Sequence, residues 1–294
     1  KNYMKIVKYF FEFISIISLF SIFKIIGLRN ASNLGSFLGK LIGPLFRSKN
    51  IIKQNIKTGL GEIDKKRQYE IINDMWSNIG RTFAEYVFLK DFKFNKINFN
   101  HVEINGTKYL DEIKKNNQSV IFYSGHFANF ELMAMELDKF GIKCAAIYRP
   151  LNNFFLNPVM EYLRMKYICP NQIPKGRIGM REIISKMKNG YSIALMVDQR
   201  VSEGPREVFF NKPAHTTIIP AQLALKYDSK LVPISLERKE GIKFIMTIHE
   251  PYKVKKTGYE DQDTKNITLK INQILEKMII KNPKQWIWSH NRWK

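Results

Sequence analysis

At 294 residues, with 45% of them hydrophobic, the chain is long enough to bury a full core of its own. Its net charge of +22, from 48 Lys and Arg against 26 Asp and Glu, calls for an acidic partner: nucleic acid, an anionic membrane or an acidic protein. The basic residues are mostly lysines scattered among Asn and Ile, without interleaved aromatics or Arg-Gly runs, which argues against nucleic acid and for anionic lipid. Cys144 and Cys169 form no Cys-x-x-Cys pair, so neither a disulfide framework nor a zinc site is indicated and a reducing compartment is expected.

The run from Phe10 to Leu28 is strongly apolar and is interrupted only by Glu12 and Lys24. Its length is near the roughly 20 residues that span hydrocarbon, and both charges lie near its ends. Residues 1–29 are therefore read as a membrane-anchoring helix, with a buried or interfacial amphipathic helix as the alternative. No small-residue cleavage site follows, which disfavours a signal peptide. The larger basic group after the segment, from Arg29 to Lys57, favours a main body on the cytoplasmic side.

Apolar positions recur at helical spacing through residues 30–91, which are read as a helical subdomain. The stretch from Phe92 to Gly106 suggests a strand and a connection. From residue 118 the pattern changes to short apolar runs alternating with helical spacing. Strands are expected at 118–124, 142–148, 166–170, 191–197 and 230–236, with helices at 127–140, 152–165, 177–189 and 215–228. This alternation defines residues 92–294 as an α/β domain with a largely parallel or mixed sheet flanked by helices.

The stretch Ser124-Gly125-His126-Phe127-Ala128-Asn129-Phe130-Glu131 joins the first of these strands to its helix. On one continuous helix, residues five apart diverge by roughly 140°. With His126 in the turn and Glu131 one turn inside the helix, the carboxylate can reach back to the imidazole. Such a pair suits a general base with an orienting acid, able to activate a hydroxyl. A lone His-x4-Glu is a weak pattern, and a structural histidine is the competing reading.

Sites in open α/β sheets form beyond the carboxyl ends of the strands. Those ends carry His126, Arg149, Lys175, Arg177 and Asp198, a base and an acid beside several cations, as an anionic substrate and a developing oxyanion require. The hydrolase elbow Gly-x-Ser-x-Gly, a phosphate loop and Gly-x-Gly-x-x-Gly are all missing, so no cofactor is expected. His101, His215, His249 and His290 are isolated and expected to be structural. Trp286, Trp288 and Trp293 suit either an interfacial cluster or a core cover.

With GHFANFE at 125–131, YRP at 148–150, Arg164, the run RIGMREIISKMKNG at 177–190, VDQ at 197–199, FFNKPAHTT at 209–217 and the terminal segment from Trp286 to Lys294, the chain resembles the bacterial lipid A biosynthesis acyltransferases. These are the late-acylating lauroyl/myristoyl enzymes, and the landmarks cover most of the chain. The resemblance implies an O-acyltransferase of the bacterial inner membrane, its catalytic domain on the cytoplasmic face. It would move a fatty acyl group from acyl carrier protein to a hydroxyl of a phosphorylated lipid A precursor. His126 would be the general base and Glu131 its partner. Arg149 and Arg164 would match the family's arginines and Asp198 its acid after the strand, while the strand-end reading adds Lys175 and Arg177 for the substrates, without metal or nucleic acid. Glu stands where glycerophosphate acyltransferases usually carry Asp. An acyl-coenzyme A-dependent glycolipid or glycerolipid acyltransferase, or a non-catalytic basic membrane-surface protein, are the alternatives.

Overall fold

The structure is a computed structural model that describes residues 2–94 and 100–294. The chain opens with four helices, α1 (Asn2–Ile26), α2 (Leu28–Phe46), α3 (Lys49–Leu60) and α4 (Lys65–Glu85), followed after a 3-10 turn by the short α5 (Leu89–Phe94). Helix α4 starts where Asp64 accepts a hydrogen bond from the backbone N–H of Arg67 at 2.8 Å, an N-cap. Among the described residues α1 is the one helix long and apolar enough to cross a membrane by length and composition, its most apolar 18 residues within Tyr3–Ile26 having a mean hydropathy of 1.9.

The α/β region runs β1 (Val102–Asn105), α6 (Thr107–Lys115), β2 (Ile121–Ser124), α7 (Glu131–Lys139), β3 (Cys144–Tyr148), α8 (Asn157–Leu163), β4 (Gln172–Pro174), α9 (Arg177–Lys188) and β5 (Ser192–Met196). It continues with a hairpin of β6 (Arg206–Phe209) and β7 (Lys212–His215), then α10 (Ile219–Tyr227), β8 (Leu231–Glu240), β9 (Lys243–Ile248) and α11 (Glu260–Lys281). The main sheet has seven strands in the order β1-β9-β8-β2-β5-β3-β4. All neighbours are parallel except the β8–β9 pair, so the sheet is the mostly parallel one that the alternating pattern predicts.

Successive side chains of a strand point to opposite faces, and here both faces are covered. Phe122, Ala146, Ala194 and Val232 join one core with α7 and parts of α1, α2 and α4. Ile121, Tyr123, Ala145, Ile193 and Leu195 join the other with α3, α9, α10 and α11. The N-terminal helices therefore share both cores with the sheet.

Residues 166–170 are not a strand. Helix α8 runs on into a single π-helical turn, Arg164–Ile168, and the edge strand begins later, at Gln172. The apolar run Tyr167-Ile168-Cys169 is buried by the end of a helix, and short apolar runs do not distinguish the two states. The helix expected at 215–228 begins at Ile219, because residues up to His215 pair in the β6–β7 hairpin. The expected strand between Phe92 and Gly106 is β1, with residues 95–99 outside the described part. Cys144 and Cys169 are free thiols, both buried.

Candidate active site

The carboxyl ends of β2, β3, β4 and β5 open onto one cavity of about 440 Å³. His126, Glu131, Arg149, Arg164, Lys175, Gln199 and Arg200 line it together with apolar side chains of α7 and the sheet. The expected crevice therefore assembles from four strand ends. Arg177 is the exposed first residue of α9 and does not line the cavity.

His126 sits in the turn after β2, and its carboxylate partner is Asp198, just beyond β5. Asp198 Oδ1 lies 2.7 Å from His126 Nδ1, and Oδ2 accepts the backbone N–H of His126 at 2.8 Å. Oδ2 also accepts the indole N–H of Trp286 at 2.8 Å. Gly125 makes this close approach possible, since a Cβ there would meet the Phe127 ring at 2.8 Å and the Asp198 carboxyl carbon at 3.3 Å. Burial alone would raise the pKa of Asp198, but the His126 charge and the three donated hydrogen bonds lower it to about 2. An ionised Asp198 accepts the Nδ1 proton, which leaves Nε2 with the lone pair. The side-chain nitrogen of Gln199 lies 3.4 Å from that Nε2.

Glu131 does not reach His126. As the first residue of α7 it pairs with Arg164, whose Nη2 is 2.6 Å and Nε 3.2 Å from its Oε1, and it accepts a hydrogen bond from the Tyr86 hydroxyl. The expected His126–Glu131 hydrogen bond is thus replaced by His126–Asp198 and Glu131–Arg164. The physical reason lies in the turn, where Ala128 occupies the left-handed region at φ 47° and carries the chain away before α7 begins. Burial and the Glu131 charge raise the Tyr86 hydroxyl far above its ordinary value. Desolvation of Arg164 is outweighed by Glu131 and Tyr86, so its guanidinium is held charged.

The left-handed Ala128 is clamped from α4. Its carbonyl accepts from Asn78 Nδ2 at 3.0 Å and from the Thr82 hydroxyl at 3.2 Å. Its own N–H donates to the Gln285 carbonyl at 3.2 Å. Next to it Asn129 donates to the fully buried Glu85 at 2.9 Å, which Arg238 neutralises with contacts of 2.6 and 3.0 Å. A non-glycine residue in this region costs about 1–2 kcal/mol, and these bonds hold it there.

Arg149 follows β3 and Lys175 follows β4, whose backbone N–H donates to the Tyr148 carbonyl at 2.8 Å. Partial burial and neighbouring Arg149 lower the Lys175 pKa. Tyr148 packs its ring against the Arg164 guanidinium at 5.5 Å. Arg200 adds a further cation, its backbone N–H donating to His290 Nε2 at 2.9 Å. His101, His215, His249 and His290 are all absent from the cavity lining. Among the described residues, no group of three His, Cys, Asp or Glu side chains could hold a metal ion.

Sequence reasoning placed Asp198 at the site but gave the orienting task to Glu131. Tyr86, Gln199, Arg200 and Trp286 were not singled out as site residues. Gln199 and Trp286 fall inside the quoted VDQ and terminal segments, and Tyr86 carries no local signal.

A histidine–aspartate pair at the strand ends of a mostly parallel sheet, over an apolar cavity rimmed by cations, defines a site of the α/β-enzyme class suited to proton transfer on a substrate that is part apolar and part anionic. The family model for bacterial lipid A biosynthesis acyltransferases matches residues 1–294, and the chain belongs to that family. It is similar to the lipid A biosynthesis palmitoleoyltransferase of Escherichia coli K12, 24% identical over 270 residues that cover 89% of this chain and 84% of that protein. It is also similar to the lauroyltransferase of the same organism, 23% identical over 272 residues with the same coverage. The lipid A biosynthesis acyltransferase of Haemophilus influenzae is 24% identical over 260 residues, covering 84% of this chain and 78% of that protein. The chain is an acyltransferase.

Proposed function

We propose that this acyltransferase moves a fatty acyl group from acyl carrier protein to a hydroxyl of a phosphorylated lipid A precursor at the cytoplasmic face of the bacterial inner membrane. His126 is the general base. The observation that carries this reading is the Asp198 carboxylate on His126 Nδ1 at 2.7 Å, which leaves Nε2 free to take a proton at the cavity. The acceptor hydroxyl gives its proton to Nε2 as its oxygen attacks the thioester carbonyl. The resulting imidazolium is stabilised by Asp198. Collapse of the tetrahedral intermediate forms the ester, breaks the carbon–sulfur bond and returns the proton to the leaving thiolate.

Glu131 serves this reaction through Arg164, which it holds at the cavity wall, rather than through the imidazole. Arg149 and Lys175 favour an anionic acceptor, because the Arg149 guanidinium matches phosphate oxygens bidentately and the Lys175 ammonium adds a second positive charge. Arg177, exposed at the start of α9, is assigned to encounter with an acidic donor. The +22 charge suits acyl carrier protein, which is strongly acidic, and steering of this kind weakens as salt rises.

The test offers purified full-length protein a tetraacyl disaccharide precursor, with and without its phosphates, and lysophosphatidic acid. Acyl carrier protein and coenzyme A thioesters of equal chain length are the donors. Acylation of the phosphorylated disaccharide from the carrier protein is expected, with loss in His126→Ala. Arg149→Lys should raise KM for the phosphorylated acceptor despite its conserved charge. Acylation of lysophosphatidic acid alone would move the chain to glycerolipid chemistry, and no transfer to either would overturn the proposed acceptor class.

A further inference from the structure

We infer that α1 does not cross the bilayer, and that α1 and α2 together form a one-sided surface bedded in the lipid of a single leaflet. By composition α1 passes as a membrane span, but its packing is inconsistent with one. It is fastened to the catalytic body at both ends. Near its start Asn153 Nδ2 donates to the Tyr9 carbonyl at 2.9 Å and to Glu12 at 3.3 Å. Phe10 and Phe13 meet the Phe155 ring at 5.7 and 6.1 Å. Near its end Phe20 and Phe23 are buried in the core against Phe83, and Lys24 pairs with Asp91 at 3.3 Å. From Tyr9 to Lys24 a helix rises about 22 Å, most of the roughly 30 Å hydrocarbon thickness. A crossing α1 would drag Asn153 and the adjoining cavity wall, including Arg149, into hydrocarbon. Charged groups there cost several kcal/mol each.

The second observation is in α2, whose polarity is reversed from that of a water-soluble helix. Its small residues face inward: a Cβ on Gly35 would meet the Gly80 carbonyl oxygen of α4 at 2.4 Å. Its bulky apolar residues face out, with Phe37 58%, Leu41 62%, Leu45 83% and Phe46 75% exposed. Small residues at a helix contact and large apolar ones outside is the arrangement that lipid selects and water penalises. On α1 the residues off the docked stripe, among them Phe11, Ile14 and Ile25, are apolar and exposed in the same way. The occupant is a lipid leaflet, because these outward apolar residues suit hydrocarbon and the exposed Arg29, Lys40, Arg47 and Lys49 on and beside the same helix suit anionic headgroups.

The test uses the full chain in sealed right-side-out and inverted membrane vesicles. One variant carries a cysteine appended ahead of residue 1, another Lys265→Cys on exposed α11, and both are probed with a membrane-impermeant maleimide. Labelling of the two cysteines from the same side is expected, and labelling from opposite sides overturns the inference. A third variant, Phe37→Ser/Leu41→Ser/Leu45→Ser, changes only exposed positions and should keep its circular dichroism while severalfold more chain appears in the soluble fraction. Unchanged membrane retention would overturn the role of α2. None of these readouts depends on acyl transfer, so their failure would leave the proposed reaction standing.

Discussion

Asp198 grips His126 twice, at the backbone N–H and at Nδ1, so a single carboxylate fixes both the turn and the tautomer of the ring. In Asp198→Asn the amide nitrogen must face either His126 Nδ1 or the two donors that share Oδ2, the His126 backbone N–H and the Trp286 indole. Where it faces Nδ1 it drives the proton to Nε2 and removes the lone pair. Turnover should fall by about 10²–10⁴, with KM little changed. Steady-state kinetics on a folded variant check this, and near-normal turnover would remove Asp198 from the orienting role.

The same residue makes a pH prediction. With a folded pKa of about 2, below the unfolded value of about 3.9, Asp198 contributes stability that is present above pH 4 and lost as pH falls toward 2. Denaturant titrations at several pH values should show this acid-side loss in the unmodified chain and a smaller one in Asp198→Asn.

Glu131 and Arg164 form a largely buried pair, their side chains 10% and 12% exposed. Removing one charge strands the other. Glu131→Gln should therefore destabilise the fold by about 3–5 kcal/mol, and Glu131→Met/Arg164→Met by less than either single change alone. His126→Ala leaves the buried Asp198 carboxylate with the backbone N–H of residue 126 and the Trp286 indole, and should cost less than Glu131→Gln. Thermal melts of Glu131→Gln, of the double variant beside its two single changes, and of His126→Ala separate a holding role for Glu131 from a role at the base.

The contact between α2 and α4 leaves no space for methyl groups. A Cβ on Gly80 would lie 2.0 Å from the Gly35 carbonyl oxygen, a backbone atom that cannot swing aside. Gly80→Ala should cost about 1–3 kcal/mol, and it should weaken activity as well because Asn78 and Thr82 on the same helix hold Ala128. Ala128→Gly, which relieves the left-handed backbone, should be tolerated.

His290 is largely buried and its pKa is lowered to about 4, chiefly by desolvation. Its unfolded value is near 6.5, so the unfolded chain binds more protons between these limits. Stability from this group is complete above about pH 6.5 and falls on acidification toward pH 4, with a slope of at most about 1.4 kcal/mol per unit. His290→Gln, which can still accept the Arg200 N–H, should flatten the stability profile in that window.

The sequence by itself determined the elements whose periodicity is local. These are the long apolar α1, the helices through residue 90, and the alternation that gives a mostly parallel sheet with His126, Arg149 and Asp198 at its strand ends. Each follows from spacing within about twenty residues and from the rule that strand ends in such sheets share one edge. Only the tertiary structure decided which acid serves which partner. Glu131 is five residues from His126 and Asp198 is seventy-two, yet the parallel pairing of β2 with β5 sets Ser124 opposite Met196 and delivers Asp198 to the ring, while the left-handed Ala128 turns Glu131 toward Arg164. Tyr86 and Trp286 were invisible for the same reason, since each reaches the site from another part of the chain. The placement of α1 was also beyond the sequence. Hydropathy records how apolar a helix is, and only the contacts of Tyr9, Phe13, Phe20 and Lys24 record which side of it is already taken.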